Sequence, residues 1–172
     1  MRVSYDWLKT MIDIPEDPKT LSDEYIRTGT EVEAIDTVGE SFDHVVTAKV
    51  LTKTPHPDSD HMYVCSVDVG DKNLDADGNP APLQIVCGAP NVRAGIKVAC
   101  ATIGAVLPGD FRIKKSKLRG VVSMGMLCST RELGINEDHN GIWILPDDAP
   151  VGVDIRQYAR LDDAKIELKL TP

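Results

Sequence analysis

Two rhythms of apolar and polar residues divide this chain. Between about residues 44 and 145, apolar positions recur in short runs of period two, separated by Gly, Pro, Asp and Asn. Alternation of this kind places successive side chains on opposite faces of a strand. It predicts strands over 44–54, 62–69, 83–87, 96–102, 111–114 and 142–145. Pro108-Gly109-Asp110 marks a turn, and 71–82 (DKNLDADGNPAP) reads as an exposed polar loop. Ser129-Thr-Arg-Glu132 has the form of a capping box, which predicts a short helix ending at Gly134. About five or six closely spaced short strands with one short helix predict a small closed barrel.

The flanks follow a different pattern. Ser4 can cap a helix carrying Trp7, Leu8, Met11 and Ile12, and Pro15 and Pro18 then interrupt the chain. Thr20-Leu-Ser-Asp23 fits the start of a second helix with Leu21, Tyr25 and Ile26 inward, stopped by Gly29. Residues 31–38 are β-like, and 151–170 return to a helix-like and then strand-like pattern. The expected architecture is therefore mainly β: a barrel over 40–150 inserted into a small α+β domain formed by 1–39 and 151–172. The alternating run Lys165-Ile-Glu-Leu-Lys-Leu stops at Thr171-Pro172, which predicts a fragment of a longer protein.

Charge sharpens the picture. Residues 93–119 hold seven cations, at 93, 97, 112, 114, 115, 117 and 119, against the single carboxylate of Asp110. The other 145 residues carry 12 cations and 26 carboxylates, and the whole chain has a formal charge of −8. Cations concentrated in one short segment of an acidic protein predict attraction of a polyanion at one place. Between 44 and 145 the aromatics are Tyr63, Phe111 and Trp143, too few for the stacking platforms of a single-strand binder. A folded RNA read by shape, backbone and 2′-hydroxyls suits this composition better.

Other chemistries find little support. The four cysteines (65, 87, 100, 128) form no CxxC pair, and three lie in apolar strand-like runs, so they read as buried, reduced thiols of a cytosolic protein. His56-Pro-Asp-Ser-Asp-His61 lacks a distant ligand pair to complete a metal site and reads as a polar turn. The 73–84 segment overlaps a calcium loop but carries Gln84 at its last position and prolines inside it. Gly120 to Gly125 is not followed by Lys-Ser/Thr, so it is no P-loop. No nucleophile elbow, HExxH or Cys-His spacing is present, so no catalytic residue is predicted. The N-terminus has no signal-peptide core, and no apolar run is long enough to span a membrane.

Specific motifs then carry a family resemblance. Leu83-Gln-Ile-Val-Cys-Gly-Ala-Pro-Asn-Val-Arg-Ala-Gly95, Gly104-Ala-Val-Leu-Pro-Gly109, Ile113-Lys-Lys-Ser-Lys-Leu-Arg-Gly120 and Ser123-Met-Gly-Met-Leu-Cys-Ser129 resemble the tRNA-binding domain of synthetase-associated proteins, an OB-fold barrel. His56-Pro-x-x-Asp60 resembles its upstream signature. Met1-Arg-Val-Ser-Tyr-Asp-Trp-Leu-Lys and Ile166-Glu-Leu-Lys-Leu-Thr-Pro resemble the flanks of that domain in the β subunits of bacterial phenylalanyl-tRNA synthetases. His61 stands where that family often has Lys, and the 71–82 loop is longer than usual.

The resemblance implies a cytoplasmic α2β2 ligase that charges tRNA(Phe), with tRNA and the α subunit as partners and no DNA or membrane partner. ATP and Mg²⁺ would serve the α subunit, with no cofactor held by this chain. Lys114, Lys115, Lys117 and Arg119 are expected on tRNA phosphates, with Asn91, Arg93 and Ser129 as polar support beside the binding face. Glu132 is expected to complete the capping box of Ser129. A free-standing tRNA-binding protein of the same fold and a subunit-docking module are the alternative expectations.

Overall fold

The structure, a computed structural model, describes residues 1–138 and 140–169. Leu170, Thr171 and Pro172, which end the expected last strand and its flank motif, lie outside the described residues. The chain divides into two compact units, one of residues 1–40 with 160–172 and one of residues 41–159.

The first unit begins with a short strand, β1 (Arg2–Ser4), which the sequence reading missed because three residues show no alternation. Helix α1 (Tyr5–Met11) follows, and the Ser4 side chain accepts the Trp7 amide as its cap. Helix α2 (Pro18–Arg27) starts earlier than Thr20. Asp17 takes the Lys19 and Thr20 amides, and Pro18 occupies the first helical position, where its missing N–H and fixed φ cost nothing. Ser22 is the buried residue of α2, and Ile26, expected inward, is exposed. Strand β2 (Glu31–Asp36) completes a sheet of order β1-β13-β2 with β13 (Lys165–Lys169).

The second unit holds the remaining strands: β3 (Val45–Pro55), β4 (Tyr63–Asp68), β5 (Leu83–Cys87), β6 (Lys97–Thr102), β7 (Val106–Leu107), β8 (Phe111–Arg112), β9 (Ser116–Leu118), β10 (Val121–Ser123), β11 (Gly125–Leu127) and β12 (Ile144–Leu145). The main sheet runs β11-β6-β3-β4-β5, all antiparallel. A register shift between Val50 and Thr52 lets the long β3 bend, pairing β6 with its first half and β4 with its second. The sheet then curls until β5 meets the β10–β11 segment. There the Met124 amide donates to the Gln84 carbonyl at 2.8 Å, and the Val86 amide donates to Ser123 Oγ at 3.0 Å. Taken round the barrel, the neighbours are first, second, third, fifth and fourth strands, the OB-fold order.

Alternate residues fill the interior: Val46, Ala48 and Val50 from β3, Cys65 and Val67 from β4, Ile85 and Cys87 from β5, Val98 and Cys100 from β6. All four cysteines are free and buried. Burial pushes the Cys65 thiol up to about 11 and the Cys100 thiol up to about 12.

Two expected elements differ. Residues 130–134, where a helix is expected, form turns. The box forms, with the Ser129 amide and hydroxyl on Glu132 Oε2 and the Glu132 amide on Ser129 Oγ, but Gly134 at φ +69 ends it after a single turn. The second unit also continues past residue 150 to Ala159. Thr47 of β3 binds Val153 through its amide and hydroxyl, and its carbonyl accepts the Gly152 amide. Helix α3 (Ile155–Tyr158) then buries Ile155. Among the described residues no helix is long and apolar enough to cross a membrane.

Candidate nucleic-acid interface

In OB folds the loops between the first and second strands and between the fourth and fifth strands flank the binding face. Here these are residues 56–62 and 103–124. The cationic segment occupies the second loop, but not as an irregular loop. It builds a hairpin of its own, β9 paired with β10, with Lys117 opposite Val122 and Leu118 opposite Val121. Arg119 (φ +44) and Gly120 (φ +89) make the two-residue connection, both left-handed, which is the signature of a type I′ turn.

Buried Ile113 anchors the entry to this hairpin, its amide donating to the Ala105 carbonyl at 2.8 Å. Lys114 and Lys115 fill the stretch between Ile113 and β9. Residues 114–120 are all exposed. Among the described residues, Lys114, Lys115, Lys117 and Arg119 form no ion pair with a carboxylate. Arg119 Nη1 donates to the Asp58 carbonyl at 3.0 Å, leaving the rest of its guanidinium outward.

The remaining cations of the segment divide differently. Lys97 donates to the Ala149 carbonyl at 2.9 Å, and Arg112 pairs with Asp110 at 3.2 Å. Both are engaged within the protein, so fewer cationic side chains are free to meet a ligand than the sequence suggests. Arg93 is exposed and, among the described residues, has no carboxylate partner.

Asn91 and Ser129 are turned inward. The Asn91 amide donates to the Ile142 carbonyl at 2.9 Å and its Oδ1 accepts the Ile142 amide at 3.0 Å, so both ends are engaged. Ser129 is buried and bound to Glu132. Near them, Gly88, Pro90, Phe111, Met126 and Arg131 line an open cleft of about 740 Å³. Phe111 is 57% exposed at this cleft, three residues before the lysines.

Sequence reasoning gave no role to His56 beyond a polar turn. The structure buries it to 4% exposure, between the turn of its own loop and the carbonyl of Leu118 in β9. The signal that could have found it is its place at the end of a strand in the His-Pro signature. The proximity to Leu118 spans 62 residues and is invisible in the sequence. Lys53 lies over the Tyr63 ring, 3.6 Å from its centroid, another cross-strand contact without a local signature. Among the described residues no group of three or more His, Cys, Asp or Glu side chains could hold a metal ion.

A barrel of OB order, with a cationic hairpin beside its first loop, defines an OB module. Residues 45–154 match the family described as "Putative tRNA binding domain", and the chain belongs to that tRNA-binding domain family. The chain is also 52% identical over its whole length to the phenylalanine–tRNA ligase β subunit of Dechloromonas aromatica, covering 21% of that protein. It is 51% identical to the same-named subunit of Neisseria meningitidis and 49% to that of Mannheimia succiniciproducens, again over 100% of the chain and 21% of each relative. It thus spans about a fifth of the length of these curated relatives.

Proposed function

We propose that this chain is the N-terminal region of a phenylalanine–tRNA ligase β subunit and that its barrel holds tRNA by the phosphate backbone. The observation that carries this reading is the segment 114–119, leading into and forming the hairpin, with Lys114, Lys115, Lys117 and Arg119 exposed and, among the described residues, without carboxylate partners, beside the first loop of an OB barrel. Arg93 adds a further exposed cation. Asn91 and Ser129 support the face from beneath by fixing the loops that border the Phe111 cleft. Similarity across both flanks, not the barrel alone, favours this parent over a free-standing tRNA-binding protein.

Charging tRNA(Phe) with phenylalanine would fall to an α subunit of a cytoplasmic α2β2 enzyme. Among the described residues no group of three or more His, Cys, Asp or Glu could hold a metal ion, and no chemical step is assigned to this chain. The barrel would lengthen the encounter with tRNA while catalysis proceeds elsewhere. Docking of other protein segments is a second role for the first unit, because α1 buries none of its residues and exposes Trp7 and Met11.

Salt dependence tests the binding role. If four or five phosphates are neutralised, log K for tRNA falls against log[salt] with a slope of about −3 to −4.5. Lys114→Ala with Lys115→Ala flattens that slope by about two and weakens all tRNAs alike. An unchanged slope refutes the hairpin as the contact surface.

A further inference from the structure

β9 is a poorly tethered strand. All three of its residues are exposed, and its ladder partner is β10 of the same hairpin. On the β10 side the hairpin is fixed to the barrel: Gln84 Nε2 donates to the Val122 carbonyl at 2.8 Å, and Met124 donates to the Gln84 carbonyl at 2.8 Å. On the β9 side, among the described residues, the ties run to the 56–58 turn. They are the His56 imidazole on the Leu118 carbonyl and the Arg119 guanidinium on the Asp58 carbonyl.

The protonation state of His56 follows from its partners. The Asp58 amide can only donate, and it lies 3.0 Å from Nδ1, so Nδ1 is the acceptor. The proton therefore sits on Nε2, which donates to the Leu118 carbonyl at 3.0 Å. The imidazole is neutral and bridges two loops, with each nitrogen committed to a different one.

We propose that His56 is the positioning residue of the RNA-contacting hairpin: its Nε2–H grips the Leu118 carbonyl and so sets where Lys117 and Arg119 stand relative to the barrel. This rests on the tRNA-binding reading above. The imidazole touches no phosphate itself. It fixes the strand that carries Lys117 and leads into Arg119, so that RNA meets a preformed arrangement instead of ordering a loose hairpin on contact. Burial shields the bond from competing water, as a latch beside an ionic surface requires.

Two isosteric substitutions separate this role from simple closure of the 56–58 turn. The carboxamide nitrogen of Gln reaches the place of Nε2 and can keep the Leu118 bond. The carboxamide oxygen of Asn takes the place of Nδ1 and can keep only the Asp58 bond. In the 172-residue chain, tRNA anisotropy from 50 to 200 mM KCl is expected to show His56→Ala and His56→Asn flattened by about one to two in slope, with His56→Gln near the native value. Each phosphate contact accounts for about a 3.5-fold fall in affinity over that range, so the loss reads as about 3.5- to 12-fold less salt sensitivity. Where Lys114→Ala with Lys115→Ala flattens the native slope, rescue by Asn and not Gln, rescue by both, rescue by neither, or a native slope in His56→Ala overturns the proposal. Should His56→Ala fail to fold, the Gln and Asn pair decides alone.

Amide hydrogen exchange over 116–123 in the free protein separates this inference from the reading beneath it. Faster exchange in Asn but not Gln upholds the latch even where Lys114→Ala with Lys115→Ala leaves the tRNA slope unchanged, an outcome that refutes only the RNA contact. Equal exchange in native, Gln and Asn proteins overturns the latch.

Discussion

Replacing Ser123 by alanine opens the seam of the barrel. Ser123 is 1% exposed, and its Oγ accepts the Val86 amide at 3.0 Å and donates to the Gly125 carbonyl at 3.0 Å. β5 and β11 share no ladder at this point, so the hydroxyl replaces the strand pairing that would otherwise close the sheet. Alanine removes both bonds and leaves the Val86 amide, on a buried residue, without its partner. An orphaned buried donor costs about 1–3 kcal/mol, and the lost Gly125 bond adds a smaller amount because that residue is only half-buried. The expected loss is about 2–3 kcal/mol. For a unit of this size each kcal/mol shifts the melting midpoint by about 3–5 °C, so the barrel should melt about 6–15 °C lower.

The two tryptophans make this measurable by unit. Trp7 lies in the first unit and Trp143 in the barrel unit, so in a Trp7→Phe background the fluorescence of Trp143 follows the barrel alone. This matters because two units need not unfold together, and a single global midpoint would then be undefined. A Ser123→Ala midpoint within about 2 °C of the parent refutes the claim that this hydroxyl closes the barrel. A fall confined to another probe, with Trp143 unchanged, refutes it as well.

Asn91→Ala is expected to destabilise the barrel by about 1–3 kcal/mol in urea titrations while leaving the tRNA salt slope unchanged, since its amide is spent on Ile142 and reaches no ligand. A flattened slope would make Asn91 a direct contact. The thiols set an alkaline limit. Unfolded Cys ionises near 9, whereas burial holds Cys65 at about 11 and Cys100 at about 12, so the native state keeps protons that the unfolded chain loses. Their contribution to stability is complete below about pH 9 and declines as pH rises toward the folded values. Urea midpoints should drop between pH 8.5 and 10.5, less so in Cys100→Ala, and equal drops in both proteins would discount the thiol as a cause.

What could be read from the sequence was whatever is local. The strand at 83–87 and the Ser4 cap were legible because alternation and capping act within a few residues. The helix after Ser129 was over-read, since a capping box specifies a start and Gly134 denies it any length. Pro18 reads as a break in the sequence but opens α2, because proline interrupts a helix everywhere except its first turn. At the candidate site the cations were visible and their commitments were not. Lys97 and Arg112 count as charge in the sequence but are tied to Ala149 and Asp110 in the fold. Ser123 and His56 do their work across 37 and 62 residues of chain, where no periodicity reports a contact.

The placement of charge accounts for why this barrel would read backbone and not bases. Outside residues 93–119 the chain carries 12 cations against 26 carboxylates, so most of its surface repels RNA. At physiological salt that repulsion decays over about 8 Å, so under the proposed function the hairpin would be the place where phosphates approach closely. On the proposed reading, repulsion elsewhere would help direct the ligand to the cations. Stacking adds little to this. Of the three aromatics between 44 and 145, Tyr63 lies beneath Lys53 and Trp143 is half-buried. Phe111 remains exposed and can take a single base, for about 1–3 kcal/mol. On the proposed reading, a surface offering four or five phosphate contacts and one stacking position would discriminate RNAs by where their backbones run, and hardly at all by sequence.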